Sequence, residues 1–192
     1  MKAHGEEVFT DRGKDLGISV IDFWRYMYND LLADPRNDLA EYLVAHALGN
    51  TTASNVENWE LYDIDYCGKR IEVKCSGYFQ TWRKDDKVSQ QRIFSIAKAY
   101  TPGTELLERQ NDVYVFCLLL GNTRQEADPT KLEHWEFYVV PTAFINEHCG
   151  DNKTISLSRI KSFGFEPIPY TELKHEIDGV ISNRSRNASE TG

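Results

Sequence analysis

Positive charge is in short supply in this sequence: 22 Lys and Arg stand against 30 Asp and Glu, a formal net charge of −8. Affinity for phosphate backbones comes largely from Lys and Arg, so this balance is awkward for a nucleic-acid enzyme, although the distribution of charge matters more than its sum. Any phosphate contact must be a local patch, or must draw on a basic partner or a second subunit. Long apolar runs are missing too. The longest, around Val113–Leu120, has the length of a strand and not of a membrane span, so no membrane association is expected. Met1–Arg12 has no apolar segment of the kind export signals carry. The four cysteines, Cys67, Cys75, Cys117 and Cys149, stand at no metal-ligand spacing. Reduced thiols and a cytoplasmic location are the expectation. Gly-rich phosphate loops, dinucleotide fingerprints and P-loop motifs are absent, which argues against nucleoside-triphosphate hydrolysis within this chain.

What is present suits one globular domain. The 192 residues are 41% hydrophobic and 27% charged, a balance that supports a sizeable core. With no repeat, low-complexity block or linker, residues 1–182 read as a single α/β domain. Residues 1–17 form a polar lead-in to it, and the polar stretch 183–192 is expected to be a disordered tail. Val20, Phe23, Trp24, Met27, Tyr28 and Leu31 recur at helical spacing. A second helix spans Asp34–Gly49, with Asp34 as cap, Pro35 in the first turn and Gly49 as stop. Trp59–Tyr66 and Arg70–Ser76 alternate apolar and polar residues as half-buried strands do. Gln91–Tyr100 fits a strand or a helix. Asp112–Leu120 reads as a fully buried strand and Trp135–Val140 as another, while Pro141–Glu147, Leu157–Phe163 and Thr171–Ile181 read as helices.

The chemistry is concentrated in Tyr62–Ser76. Cys67-Gly68 is a two-residue connection of the kind tight hairpins use. That turn pairs Tyr66 with Lys69, Asp65 with Arg70, Ile64 with Ile71, and Asp63 with Glu72. Opposed residues share one sheet face with Cβ atoms about 4.5–5.5 Å apart, so Asp63 and Glu72 set two carboxylates side by side. Alternation adds Lys74 to that face and turns Ile64, Ile71 and Val73 toward a core. Adjacent carboxylates repel, and a divalent cation removes the repulsion. Mg²⁺ takes hard oxygen ligands, commonly one or two carboxylates with waters and phosphate oxygens. A Lys beside them can stabilise developing charge or orient and deprotonate a water. Asp65 competes with Asp63 as ligand, but its place opposite Arg70 gives it an ordinary cross-strand ion pair, and Asp63 is preferred. The bland alternative has Lys74 bridging two carboxylates on a solvated sheet.

The series Asp63…Glu72-Val73-Lys74 resembles the PD-(D/E)XK nucleases, which include restriction endonucleases, junction resolvases and repair nucleases. Tyr62 stands where many members carry Pro. The resemblance covers about Asp34–Trp82. It implies a restriction-endonuclease-like core, a central mixed β-sheet of about five strands flanked by helices. It also implies metal ligation by Asp63, Glu72 and the Val73 carbonyl, with Lys74 serving the hydrolytic water. Many members add a Glu from the preceding helix; here Glu41 lies at the edge of the apolar face formed by Leu39, Ala40, Leu43, Val44, Ala47 and Leu48. The implied activity is Mg²⁺-dependent hydrolysis of phosphodiesters, most readily in DNA, with Mn²⁺ able to substitute. Restriction, anti-phage defence and DNA repair are the implied settings, and a homodimer or a partner protein is compatible with them. The rival reading is a catalytically silent nuclease-like fold acting as a binding or regulatory subunit, and RNA is an alternative substrate.

Lys69, Arg70, Arg83, Lys84, Lys87 and Arg92 form the one visible patch for phosphate contacts, with Ser76 and Gln80 as further candidates for touching nucleic acid. Gln80 belongs to Gly77-Tyr78-Phe79-Gln80-Thr81-Trp82, a segment that also resembles restriction-like proteins. Among the histidines, His46 lies away from Glu41. His148 adjoins Cys149, but neighbours in sequence rarely hold the geometry of a nucleophile pair.

Overall fold

A computed structural model describes residues 4–33, 35–50, 62–81, 91–101 and 103–189. The expected polar lead-in is a hairpin. Strands β1 (Val8–Asp11) and β2 (Lys14–Ser19) pair antiparallel across Arg12-Gly13. Both turn residues take positive φ, 49° and 80°, as a type I′ turn requires. Nearly every residue of this hairpin is exposed, Leu16 and Ile18 included. Helix α1 (Val20–Met27) follows, with the Ser19 backbone and hydroxyl both bonded to Asp22 Oδ2 at 2.9 and 2.7 Å. None of its residues is buried.

Helix α2 (Pro35–Ala47) starts at Pro35 as expected, and Gly49 ends it with φ 74°. The proposed cap Asp34 lies outside the described residues. Its buried stripe is Arg36, Ala40, Leu43 and Val44, continued by Leu48.

Strands β3 (Ile64–Tyr66) and β4 (Lys69–Gly77) pair in the register the turn dictates, Ile64 to Ile71, Asp65 to Arg70 and Tyr66 to Lys69. Cys67 and Gly68 have φ 53° and 71°. The earlier part of the expected strand, Trp59–Leu61, lies outside the described residues. Three short strands come next, β5 (Ile93–Ser95), β6 (Ala99–Tyr100) and β7 (Leu107–Glu108). The buried strand β8 (Val113–Leu119) runs parallel to β4, and β9 (Trp135–Pro141) runs antiparallel to β8. Helix α3 (Thr142–Cys149), strand β10 (Thr154–Ser156), α4 (Leu157–Ser162) and α5 (Leu173–Ser189) complete the chain. Helix α5 runs on into the polar stretch expected to be a tail.

Among the described residues the central sheet is mixed and has four strands in the order β3-β4-β8-β9, where about five were expected. The natural fifth, Gln91–Tyr100, is extended but splits: β5 pairs with β10 and β6 with β7. Each face of the central sheet carries its own core. On one, Ile71, Val73, Val113, Val115 and Cys117 meet α2 and α5; on the other, Tyr114, Phe116 and Leu118 meet Phe94, Ile145 and Ile160. Among the described residues no helix is long and apolar enough to cross a membrane.

Candidate active site

The alternation of β4 sorts its residues between the two faces. Ile71 and Val73 are buried toward α2, so Glu72, Lys74 and Ser76 point to the opposite side. Glu72 and Lys74, two apart on that side, form an ion pair between Lys74 Nζ and Glu72 Oε1.

Asp63 departs from the expected geometry. The β3–β4 ladder stops at Ile64, and the Asp63 N–H donates to Ile71 O at 3.0 Å. The Asp63 side chain then replaces a backbone acceptor, its Oδ2 receiving the Val73 N–H at 2.6 Å. Asp63 is therefore not stacked squarely across from Glu72 on one face. It lies at the sheet's edge, in line with the strand hydrogen bonds, and meets groups from both faces. Glu41 approaches from the α2 face and Glu72 with Lys74 from the other.

The charges of these groups act on one another. Burial pushes the Glu41 carboxyl up to about 7, and the charges of Asp63, Asp38 and Glu72 add to the rise while Lys74 opposes it. Burial also raises Asp63, against the Val73 hydrogen bond and the Lys74 charge. Burial raises Glu72 as well, Asp63 reinforces the shift, and Lys74 opposes it. Three half-buried carboxylates thus share a region with one ammonium group.

Glu41 gives this arrangement a pH signature. Its folded value, about 7, exceeds the ordinary 4.5, so the folded chain holds this proton more tightly than the unfolded one. The cost of the charged form is full above about pH 7 and gone below about 4.5. Metal-free Glu41→Gln is expected to be more stable than the native chain at neutral pH, an advantage that fades as pH falls through that window. Denaturant melts of both proteins across the window check it, and a pH-independent difference would contradict the burial of Glu41.

The donor set suits a hard divalent cation. Glu41, Asp63 and Glu72 supply carboxylate oxygens. In a strand the N–H and C=O of one residue point to the same side, so the Val73 carbonyl faces the flank where Asp63 lies. Among the described residues no three such side chains yet stand close enough to share one ion. Glu72 is engaged by Lys74 and Asp63 by the Val73 N–H, both of them donors that partly offset charge a cation would neutralise.

The remaining candidates are dispersed. Asp65 is exposed on the turn side of Asp63, and Arg70, expected to pair with it, instead faces Asp112. Arg70 Nε and Lys69 Nζ each lie 3.8 Å from that carboxylate, and Arg70 N–H donates to it at 3.0 Å. Gln80 is structural: it accepts from Arg36 Nη2 at 3.1 Å and donates to Gly77 O at 2.8 Å. Ser76 is buried. Arg92 is buried too, with its guanidinium 3.6 Å from the centre of the Tyr78 ring. Arg83, Lys84 and Lys87 lie outside the described residues. His46 shares a 2.8 Å hydrogen bond with Tyr170, and His148 stacks on Phe144.

Two features escaped the sequence. Arg36, in the first turn of α2, is buried and donates to Phe79 O at 3.2 Å as well as to Gln80. It ties α2 to the segment leaving β4. Arg109, Gln110 and Asn111, just before β8, are all buried and line a cavity of about 240 Å³ that also touches Asp63 and Glu72. A polar run ahead of a strand reads as a loop, and only the Pro-free continuity into Val113 hinted otherwise. No known family's sequence profile matches the chain, and no curated protein matches it.

Proposed function

We propose that this chain is a metal-dependent nuclease with a restriction-endonuclease-like core, hydrolysing phosphodiesters in DNA. The observations that carry the reading are the Glu72–Lys74 ion pair and the Asp63 carboxylate on the Val73 N–H between them, with Glu41 within electrostatic reach of all three. Glu41, Asp63, Glu72 and the Val73 carbonyl would hold Mg²⁺ or Mn²⁺. When bound, the metal supplies Lewis-acid stabilisation of phosphate charge and an acidified water. Lys74 orients that water and offsets charge building on the phosphate.

The test is cleavage of plasmid and single-stranded DNA with Mg²⁺. Ca²⁺ in place of Mg²⁺ is expected to support DNA binding and suppress cleavage, because it accepts looser coordination and activates water poorly. Equal cutting in both ions would remove the role assigned to the metal. The second reading, a silent binding or regulatory subunit, draws on the net charge of −8 and on Lys69 and Arg70 being engaged by Asp112. Binding of DNA with no cleavage in Mg²⁺ or Mn²⁺ would favour it. Double-strand cutting calls for a twofold dimer, since the two strands present equivalent targets; sizing in solution checks that.

A further inference from the structure

The cavity beside the carboxylates has chemistry of its own. Tyr62, Asp63 and Glu72 form one side, Ala97 and Ala99 another, and Glu108 with Arg109, Gln110, Asn111 and Tyr114 the rest. Tyr114 is the register partner of Glu72 on the neighbouring strand, so the cavity and the candidate metal ligands share a wall. At about 240 Å³ it falls just short of the roughly 300–1,000 Å³ that drug-sized ligands occupy. It has room for one planar ring system and not for a base pair.

Acceptors outnumber donors on its walls, although the Tyr62 and Tyr114 hydroxyls can do either. A guanidinium has five N–H donors, and Arg109 directs its bonds to Ile96 O at 2.7 Å, Asn146 Oδ1 at 2.7 Å, Gly150 O at 3.0 Å and Asn152 O at 3.0 Å. Gln110 Nε2 donates to Thr101 Oγ1 at 2.6 Å and Glu108 Oε1 at 3.0 Å. Asn111 Nδ2 donates to Val113 O at 3.1 Å and Thr142 Oγ1 at 2.9 Å. Each amide nitrogen is therefore spent on the protein, which fixes the amide orientations and leaves Gln110 Oε1 and Asn111 Oδ1 as acceptors. With Asp63, Glu72 and Glu108 on the same walls, the cavity repels phosphate. It favours an occupant that brings N–H donors and a planar ring to share the cavity with the Tyr62 side chain.

We propose that this cavity is a nucleobase subsite that takes one unpaired, amino-bearing base, adenine, cytosine or guanine, while the attached phosphate lies at the carboxylates. The location of the phosphate rests on the nuclease reading above. Adenine and cytosine offer an exocyclic NH₂ where thymine offers a carbonyl oxygen, and these walls hold more partners for the NH₂ than for the carbonyl. An unpaired nucleotide enters at no cost in base pairing, so the substrate class is single-stranded or locally unpaired DNA.

The experiment is calorimetric binding of short single-stranded oligo(dA), oligo(dC) and oligo(dT) to the full chain in Ca²⁺, alongside cleavage assays in Mg²⁺. Oligo(dA) and oligo(dC) are expected to bind about 10-fold tighter than oligo(dT), the scale of one well-made base contact. Ala97→Phe plugs the cavity from an exposed wall position outside the carboxylate–lysine group, and Ala99→Leu does so independently. Each should bring oligo(dA) down to the oligo(dT) level with the thermal melt unchanged. Equal binding of all three oligomers, or plugs that leave the preference intact in folded protein, would overturn the subsite even if the chain cuts DNA. A preference abolished by the plugs, without cleavage of any DNA, would sustain the subsite and overturn the nuclease reading instead. Absence of both binding and cleavage would overturn both.

Discussion

Lys74→Ala is expected to reduce Mg²⁺-dependent DNA cleavage by about 10³-fold, within the range removed with a positioned proton-transfer group or a charge-stabilising donor. In the metal-free chain Lys74 Nζ is paired with Glu72. Metal taking over Glu72 frees the ammonium group for the water and the phosphate. Lys74 also opposes the mutual repulsion of Glu41, Asp63 and Glu72, so Lys74→Ala is expected to lower the stability of the metal-free chain as well, and cleavage is compared at a temperature where the variant is folded. A control comes from Lys74→Arg, which keeps the charge but presents a planar, permanently protonated fork. It should retain DNA binding in Ca²⁺ and fail to restore cleavage. The measurement is single-turnover cleavage at saturating Mg²⁺, with metal affinity determined separately. Native-like cleavage by Lys74→Ala would leave Lys74 as no more than the partner of Glu72.

The parts of the site that were legible in the sequence are those set by local periodicity. The Cys67-Gly68 turn requires two positive φ values and so fixes the hairpin register. Alternation along β4 then places Glu72 and Lys74 together and sends Ile71 and Val73 into the core. The apolar face of α2 likewise places Glu41 at its margin. What could not be read depends on contacts distant in sequence. The turn predicts Asp63 opposite Glu72, but Asp63 leaves the ladder because its carboxylate competes with a backbone carbonyl for the Val73 N–H. Such local competition is a habit of Asp that no pairing rule captures. Arg70 pairs with Asp112 rather than Asp65 because β8 lies against β4, a neighbour 42 residues away. Among the described residues β5 and β6 pair with β10 and β7 and not with the central sheet, and two- and three-residue strands carry too little pattern to reveal their partners. Buried Arg36 and Arg109 resemble surface residues in a sequence; only the carbonyls that receive their N–H groups make their burial tolerable.

The geometry of Asp63 separates two substitutions that the sequence would treat alike. A carboxylate stacked only against Glu72 could be deleted with relief of repulsion and no other consequence. As built, Asp63 both repels Glu41 and Glu72 and accepts the Val73 N–H at 2.6 Å. Asp63→Asn removes the charge and keeps an oxygen for that N–H, so the metal-free protein should melt at a higher temperature than the native chain at neutral pH. Asp63→Ala removes both, and an N–H left without a partner in this half-buried place costs about 1–3 kcal/mol. It should therefore melt below Asp63→Asn despite having lost the same charge. Acid narrows the gap between native and Asn proteins, because burial raises the Asp63 carboxyl. The native penalty is present above the raised value and absent below the ordinary 3.8. Added Mg²⁺ should raise the melting temperature of the native chain alone, by mass action on the folded state, and neither variant should cut DNA. Thermal melts of the three proteins with and without Mg²⁺ decide the matter. Equal melting of the Ala and Asn variants would mean that the Val73 bond contributes nothing and that repulsion alone governs the edge of β4. Cleavage by either variant would mean that the metal is held without Asp63.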